Sequence, residues 1–209
     1  MQNAYRPQPN RSYTGIIVIV VVVVLLLVWI ASTYNGLVAA DQAVSAQWGQ
    51  VQNVYQRRAD LVPNLVATVK GAANFEKSTY VAVAQARASV GSISPSVLQS
   101  ATSDPAALAQ YQKAQDSLGS ALSRLLVVVE RYPDLKANQN FLTLQSQLEG
   151  TENRIAVERR RYNEVAQSFN TRRNTFPTVF VAGMFGSKFA QKTYFQANPG
   201  AQNAPVVTF

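Results

Sequence analysis

The chain contains no cysteine and no histidine among its 209 residues. Without cysteine there is no disulfide framework, no thiolate zinc site and no thiol nucleophile. Without histidine there is no Ser-His-Asp triad, no imidazole metal ligand and no imidazole base. Acidic residues are also few, 11 against 19 Lys and Arg, for a net charge of +8. Any catalysis would fall to carboxylates, Lys, Tyr or backbone groups. Disorder throughout is excluded too, because hydrophobic residues at 47% supply a core. The length suits one domain, two at most. A positive balance of this size favours anionic surfaces such as lipid headgroups or nucleic acid.

What the sequence has in abundance is one apolar run. Every residue from Ile16 to Ile30 is apolar. With its flanks the run, residues 15–33, reads as a transmembrane helix, since about 20 residues cross the hydrocarbon layer. Tyr13, Trp29 and Tyr34 stand near its ends, where amphipathic rings favour the interface. A cleaved signal peptide ending near Val38-Ala39-Ala40 is the alternative, but the run is long for one and the gap from Ile30 is wide. Arg6 and Arg11 precede the run, and no Lys or Arg follows until Arg57. The positive-inside rule then puts residues 1–14 in the cytoplasm and the remainder outside it.

From Asp41 onward apolar residues recur at alternating three- and four-residue steps. One series runs Val44, Trp48, Val51, Tyr55, Arg58, Val62, Leu65, Val69 and on to Val90. A second runs from Leu108 through Tyr111, Gln115 and Leu118 to Tyr132. A third runs from Phe141 through Leu148, Thr151, Ile155 and Tyr162 to Phe169. Each is the single stripe of an amphipathic helix in knobs-into-holes packing. The expected fold is all-α: a single membrane helix, then an antiparallel bundle of three or four long helices over residues 34–176. An irregular, aromatic-rich tail completes it over residues 177–209. Pro63 lies inside the first series and predicts a kink near Asp60–Leu61, or a break there. Gly36 reads as a weak point between membrane helix and bundle. The segment 91–104 reads as a loop, with Ser103 or Asp104 capping the next helix ahead of Pro105.

Arg58, Glu76, Arg87 and Glu158 occupy stripe positions where an aliphatic residue would be the default. Each taken singly reads as a margin residue that snorkels to water. As a group, Arg57, Arg58 and Asp60 on one helix and Glu149, Glu152 and Glu158 on another read as charges that fix helix pairing. Glu149 and Glu152 are neighbours on one helical face, yet the di-metal carboxylate bundles need Glu-x-x-His motifs that this chain lacks. No metal or other cofactor is implied. The arginines of the third series alternate with glutamates and carry no nucleic-acid motif, so nucleic acid is not an expected partner.

The tail has no acidic residue and carries Phe180, Met184, Phe185, Phe189 and Phe195. These aromatics either cover the bundle ends or contact a second copy, another membrane protein or the bilayer, with Lys188 and Lys192 for headgroups. Residues 179–181 read as a short strand or extended segment and residues 188–196 as a short helix ending near Pro199-Gly200. Residues 205–207 read as an extended end able to clamp a neighbour.

Several of these segments together resemble the LemA family: TYNGLVAAD after a single membrane helix, YQRRADLVPNLVATVKGAANFE ending at Glu76, and residues 125–186 beginning LLVVVERYPDLK. The resemblance covers most of residues 34–209. It implies a bacterial inner-membrane protein with one span and a helical bundle, and it implies no catalytic reaction. Roles attached to the family run to signalling, envelope stress, assembly with other membrane proteins and, for one relative, the shaping of magnetosome membranes. Arg57, Arg58, Asp60, Pro63, Asn64, Glu149, Gly150 and Glu152 match its most recognisable motifs. The leading expectation is therefore a non-enzymatic, membrane-anchored scaffold that forms homo-oligomers. A membrane-shaping or lipid-contacting protein, or a ligand sensor acting through a membrane partner, is the alternative.

Overall fold

The computed structural model describes residues 13–71 and 76–196, and every element among them is helical. The first helix, α1 (Thr14–Lys70), is continuous over 57 residues, roughly 85 Å at the α-helical rise. Its first third is the apolar run, with each side chain from Ile16 to Val28 facing outward and exposed. From Leu37 onward one stripe turns inward and is buried. The same helix thus presents an all-round apolar surface first and an amphipathic one afterwards, which is the division between a membrane-spanning and a core-facing segment.

Gly36 does not interrupt α1. Its missing side chain makes room for a neighbour: a Cβ there would lie 2.0 Å from Arg172 Nη2. Pro63 does not break α1 either. The interruption of the first series comes instead after Lys70, and α2 (Lys77–Gly91) folds back along α1. A proline removes the N–H that would bond the carbonyl four residues earlier, here Ala59. That carbonyl accepts a hydrogen bond from Arg87 Nε of α2 at 3.0 Å. The broken backbone bond is replaced from a neighbouring helix, and burial of Val62, Leu65 and Val69 keeps α1 intact across the proline.

The segment after α2 contains the short α3 (Pro95–Ser100), capped by Ser94, where the sequence suggested only a loop. α4 (Pro105–Val129) begins at Asp104, whose carboxylate accepts from Ala106 N–H at 2.9 Å. A short α5 (Pro133–Lys136) leads to α6 (Gln139–Asn174), capped by Asn138. Side-chain pairs fix the directions. Arg87 meets Ala59 and Lys70 lies over Tyr80, so α2 runs antiparallel to α1. Tyr55 meets Tyr111 and Arg58 meets Gln115, so α4 runs parallel to it. Gln47 meets Glu158 and Arg58 meets Glu152, so α6 returns antiparallel.

Residues 179–181 are helical, within α7 (Thr178–Met184). Their expected extended form is overridden because Val181 and Ala182 bury one face against the end of the helical body. The expected helix at residues 188–196 is also absent. A 3-10 turn (Gly186–Phe189) is followed by extended chain through residue 196. That chain is held along α6 by two asparagines. Asn170 donates to the carbonyl of Lys192 and accepts from its N–H, at 2.9 and 2.8 Å. Asn163 does the same for Phe195, at 3.0 and 2.9 Å. Seven helical residues and three extended residues both advance about 10 Å, so the two asparagines match the spacing of the strand-like segment. The expectations for residues 199–200 and 205–207 lie outside the described residues.

Candidate functional site

The core divides into two clusters. One holds Trp48, Tyr55, Tyr111, Ile155, Tyr162, Phe169, Phe189 and Phe195, on the side nearer the apolar run. The other holds Val62, Leu65, Leu118, Leu122, Leu125 and Leu148. Between them, on three helices, lie the buried polar residues Arg58 of α1, Gln115 of α4 and Thr151 of α6.

Arg58 is 3% exposed, so the expectation that it snorkels to water is corrected. Its two terminal nitrogens find partners within the protein, while Nε is buried without one among the described residues. Nη2 donates to both the backbone and the side-chain oxygen of Gln115, each at 2.7 Å. Nη1 pairs with Glu152 Oε1 at 2.9 Å, and the guanidinium lies 5.1 Å from the centroid of the Tyr55 ring. Gly119, one turn after Gln115, leaves space: a Cβ there would sit 3.4 Å from Nη1. Thr151 satisfies its hydroxyl on the Gln147 carbonyl one turn back. The arrangement joins α1, α4 and α6 at a single level. Gln115, Gly119, Asn163 and Asn170 were not singled out from the sequence. Their signal was available for Gln115, a polar residue in the second stripe, and absent for the others.

The remaining motif residues do not join this layer. Arg57, Asp60, Pro63, Asn64, Glu149 and Gly150 are exposed. Among the described residues Asp60 and Glu149 accept hydrogen bonds from their own helices, from Gln56 and Gln145. Glu158 is half-buried and binds Gln47 at 2.6 Å and Arg161 at 3.0 Å. Glu76 pairs with Arg131 at 2.8 Å, tying the start of α2 to the end of α4. Asp60, Glu76, Glu149, Glu152 and Glu158 are therefore spread along the body, and no group of three or more suited to a metal ion occurs among the described residues.

The tail aromatics separate into two classes. Phe189 and Phe195 are core residues, 0% and 6% exposed. Their packing on Tyr34, Trp48 and Tyr162 withdraws them from any contact with a partner. Phe180, Met184 and Phe185 remain at the surface, together with Phe176. Lys192 is likewise taken up internally, paired with Asp41 at 2.5 Å and 5.0 Å from the Phe169 ring centroid. It is not free for headgroups. Burial pushes the Tyr162 hydroxyl up to about 12 and raises those of Tyr55 and Tyr111 as well.

An open groove of about 1350 Å³ runs between α2, α4 and the extended tail, lined by Ala82, Ala86, Ala109, Ser117, Ser120 and Ala121 among others.

Comparisons with known proteins agree on the family. Magnetosome protein MamQ 2 of Paramagnetospirillum magneticum is 27% identical over 189 residues, covering 84% of this chain and 68% of its own. Magnetosome protein MamQ of Magnetospirillum gryphiswaldense is 25% identical with the same coverage. Protein LemA of Metamycoplasma hominis is 29% identical over 132 residues, 63% of this chain and 55% of its own. The LemA family description matches residues 47–209, so all the core helices but the first part of α1 fall within it, and this membrane-associated helical chain belongs to the LemA family.

Proposed function

We propose that this protein is a non-enzymatic, membrane-anchored helical scaffold that self-associates through the α2–α4 face. The observation that carries the reading is the fate of the polar stripe residues. Arg58, Gln115, Glu76, Arg87 and Glu158 all end in ties within or between helices. Groups spent on helix register are not poised for reaction, and this is the best-attested use of buried polar residues in helical bundles. The relatives' names attach them to magnetosomes and carry no reaction. Self-association is supported by the groove. Ala82, Ala86, Ala109 and Ala121 let a second helix approach closely, and Gln112, Lys113, Asp116 and Arg124 of the same lining offer it polar partners.

Light scattering on the detergent-extracted full chain tests this. A multiple of the monomer mass is expected, reduced toward the monomer by Ala86→Arg with Ala121→Arg. A monomer at micromolar concentration sinks the reading, and so does an assembly that ignores both substitutions. In the same reading α1 spans the bacterial cytoplasmic membrane with residues 1–14 inside, as the flanking arginines direct. A cysteine placed at the exposed Ser146 is expected to react with an impermeant maleimide in cells with a permeabilised outer layer. Protection until lysis reverses the orientation.

A further inference from the structure

The surface left by α7 is apolar and uncovered. Phe176, Phe180 and Met184 follow one another at four-residue steps, and they are 76%, 64% and 69% exposed. Phe176 and Phe180 stack edge to face at 5.9 Å. The opposite face of α7, Val181 and Ala182, is buried. The helix therefore has one side in the core and one apolar side outside it. Exposed apolar patches of this kind mark interaction sites.

The position of α7 along α1 identifies what covers it. Phe185 and Phe189, at and just beyond its end, pack on Tyr34 at 4.7 and 5.6 Å, and Lys188 sits over the same ring at 4.7 Å. Leu37 shares a core cluster with Val181 and Ala182. Tyr34 and Leu37 follow the last residue of the apolar run, Ile30, by four and seven positions, roughly 6–10 Å of helix. The headgroup layer on each side of the hydrocarbon is about 5–8 Å deep. Interfacial helices immerse their apolar face by about 5–10 Å. The α7 patch is thus held at interfacial depth by the helix that crosses the membrane. Charge agrees: residues 165–209 contain no acid, while the exposed Arg172 and Lys188 lie at this end. Nothing there repels anionic headgroups.

We propose that α7 is an interfacial helix, with Phe176, Phe180 and Met184 immersed in the bilayer surface beside α1, so that the helical body stands on the membrane at two points. The proposal rests on α1 being a membrane helix. Two contacts restrict the swing of the body about α1, which one contact would not.

The native chain has no cysteine, so single nitroxide labels report depth without background. Labels go at Phe180→Cys, Met184→Cys, Val22→Cys and Ser146→Cys in the full chain, in vesicles of phosphatidylethanolamine and phosphatidylglycerol. The ratio of collisions with oxygen to collisions with a water-soluble nickel chelate is read at each. Positions 180 and 184 are expected to lie between 22, the most oxygen-rich, and 146, the most aqueous. If 180 and 184 match 146 while 22 is immersed, α7 is not interfacial and the anchor stands. If 22 is aqueous, the anchor itself fails. Spectral broadening at 180 and 184 that vanishes on dilution with unlabelled protein puts a second copy on the patch and also overturns the proposal.

Discussion

The two halves of the core are built from different side chains on the same helices. The half nearer the apolar run is aromatic, with Trp48 within 6 Å of Tyr111, Tyr162 and Phe195 by ring centroid. The far half is mainly aliphatic, filled by Val62, Leu65, Leu118, Leu122 and Leu125, with Phe141 its one fully buried ring among the described residues. The aromatic half must also accommodate the extended tail, which enters between α6 and the α3–α4 turn and is bonded to Thr102 and Ala101. Large rings keep helices apart and fill the wider space that a fifth segment requires. The mainly aliphatic half has only helices to pack, and interdigitating Leu and Val with Phe141 fill it. The Arg58 layer lies where one packing mode changes to the other, at the level where slippage would be cheapest without it.

Removing that layer is expected to have the largest effect. Arg58→Ala leaves the buried Gln115 Oε1 without its donor and opens a cavity, at a cost of about 3–5 kcal/mol. Arg58→Met loses the same polar contacts but fills the space, so it loses less by the share that the cavity contributes. Glu152 is 47% exposed, so Glu152→Gln costs well under about 1 kcal/mol. Denaturant unfolding in detergent ranks the three variants. Equal losses for Ala and Met would show that volume does not matter and that the layer acts only through its polar contacts.

Alkaline pH attacks the aromatic half selectively. The buried tyrosines Tyr55, Tyr111 and Tyr162 all belong to it, with hydroxyls raised by desolvation. In the unfolded chain they ionise near pH 10, while folded they stay neutral. Above about pH 10 the unfolded state binds fewer protons, and stability falls by about 1.4 kcal/mol per pH unit for each tyrosine. For Tyr162 the loss runs from about pH 10 to about 12. Tyrosinate absorbance is expected to rise in two stages, the second coinciding with loss of helical circular dichroism. A single stage with helix content intact would remove the distinction between the halves.

The smallest expected effect concerns the link between α1 and α2. Arg87→Ala leaves the Ala59 carbonyl without its replacement donor and costs about 1 kcal/mol. Restoring the backbone donor with Pro63→Ala makes Arg87 redundant, so the double variant loses less than the sum of the singles. Additivity in this double-mutant cycle would mean that Arg87 and Pro63 are unrelated.

The comparison also explains what could be read in advance. Every position from Val44 to Val69 in the first stripe is buried, Arg58 included, and the second stripe is buried from Leu108 to Val129. Periodicity selects the inward face and does so whatever residue occupies it. The carboxylate partner of Arg58 was among the acids named, yet nothing in spacing alone distinguishes Glu152 from Glu149, one turn away and likewise exposed. Pro63 was legible as a missing hydrogen bond, and of its two expected consequences the break does not occur. A lost bond breaks a helix only when no neighbour supplies a donor, and Arg87 lies 24 residues further along the chain. The tail misled because its apolar residues lack a sustained period. Phe189 and Phe195 are buried by side chains of α1 and α6 more than 25 residues away in sequence.

By itself the sequence determined the apolar run, the inward faces, a cap at Ser103 or Asp104, and the absence of thiol and imidazole chemistry. These follow from local composition and from periods of a few residues. Only the tertiary structure decided where α1 ends, how Pro63 is tolerated, which glutamate meets Arg58 and which tail aromatics stay outside. Each of those depends on donors, acceptors and surfaces brought together from distant parts of the chain, and local free energy does not rank them.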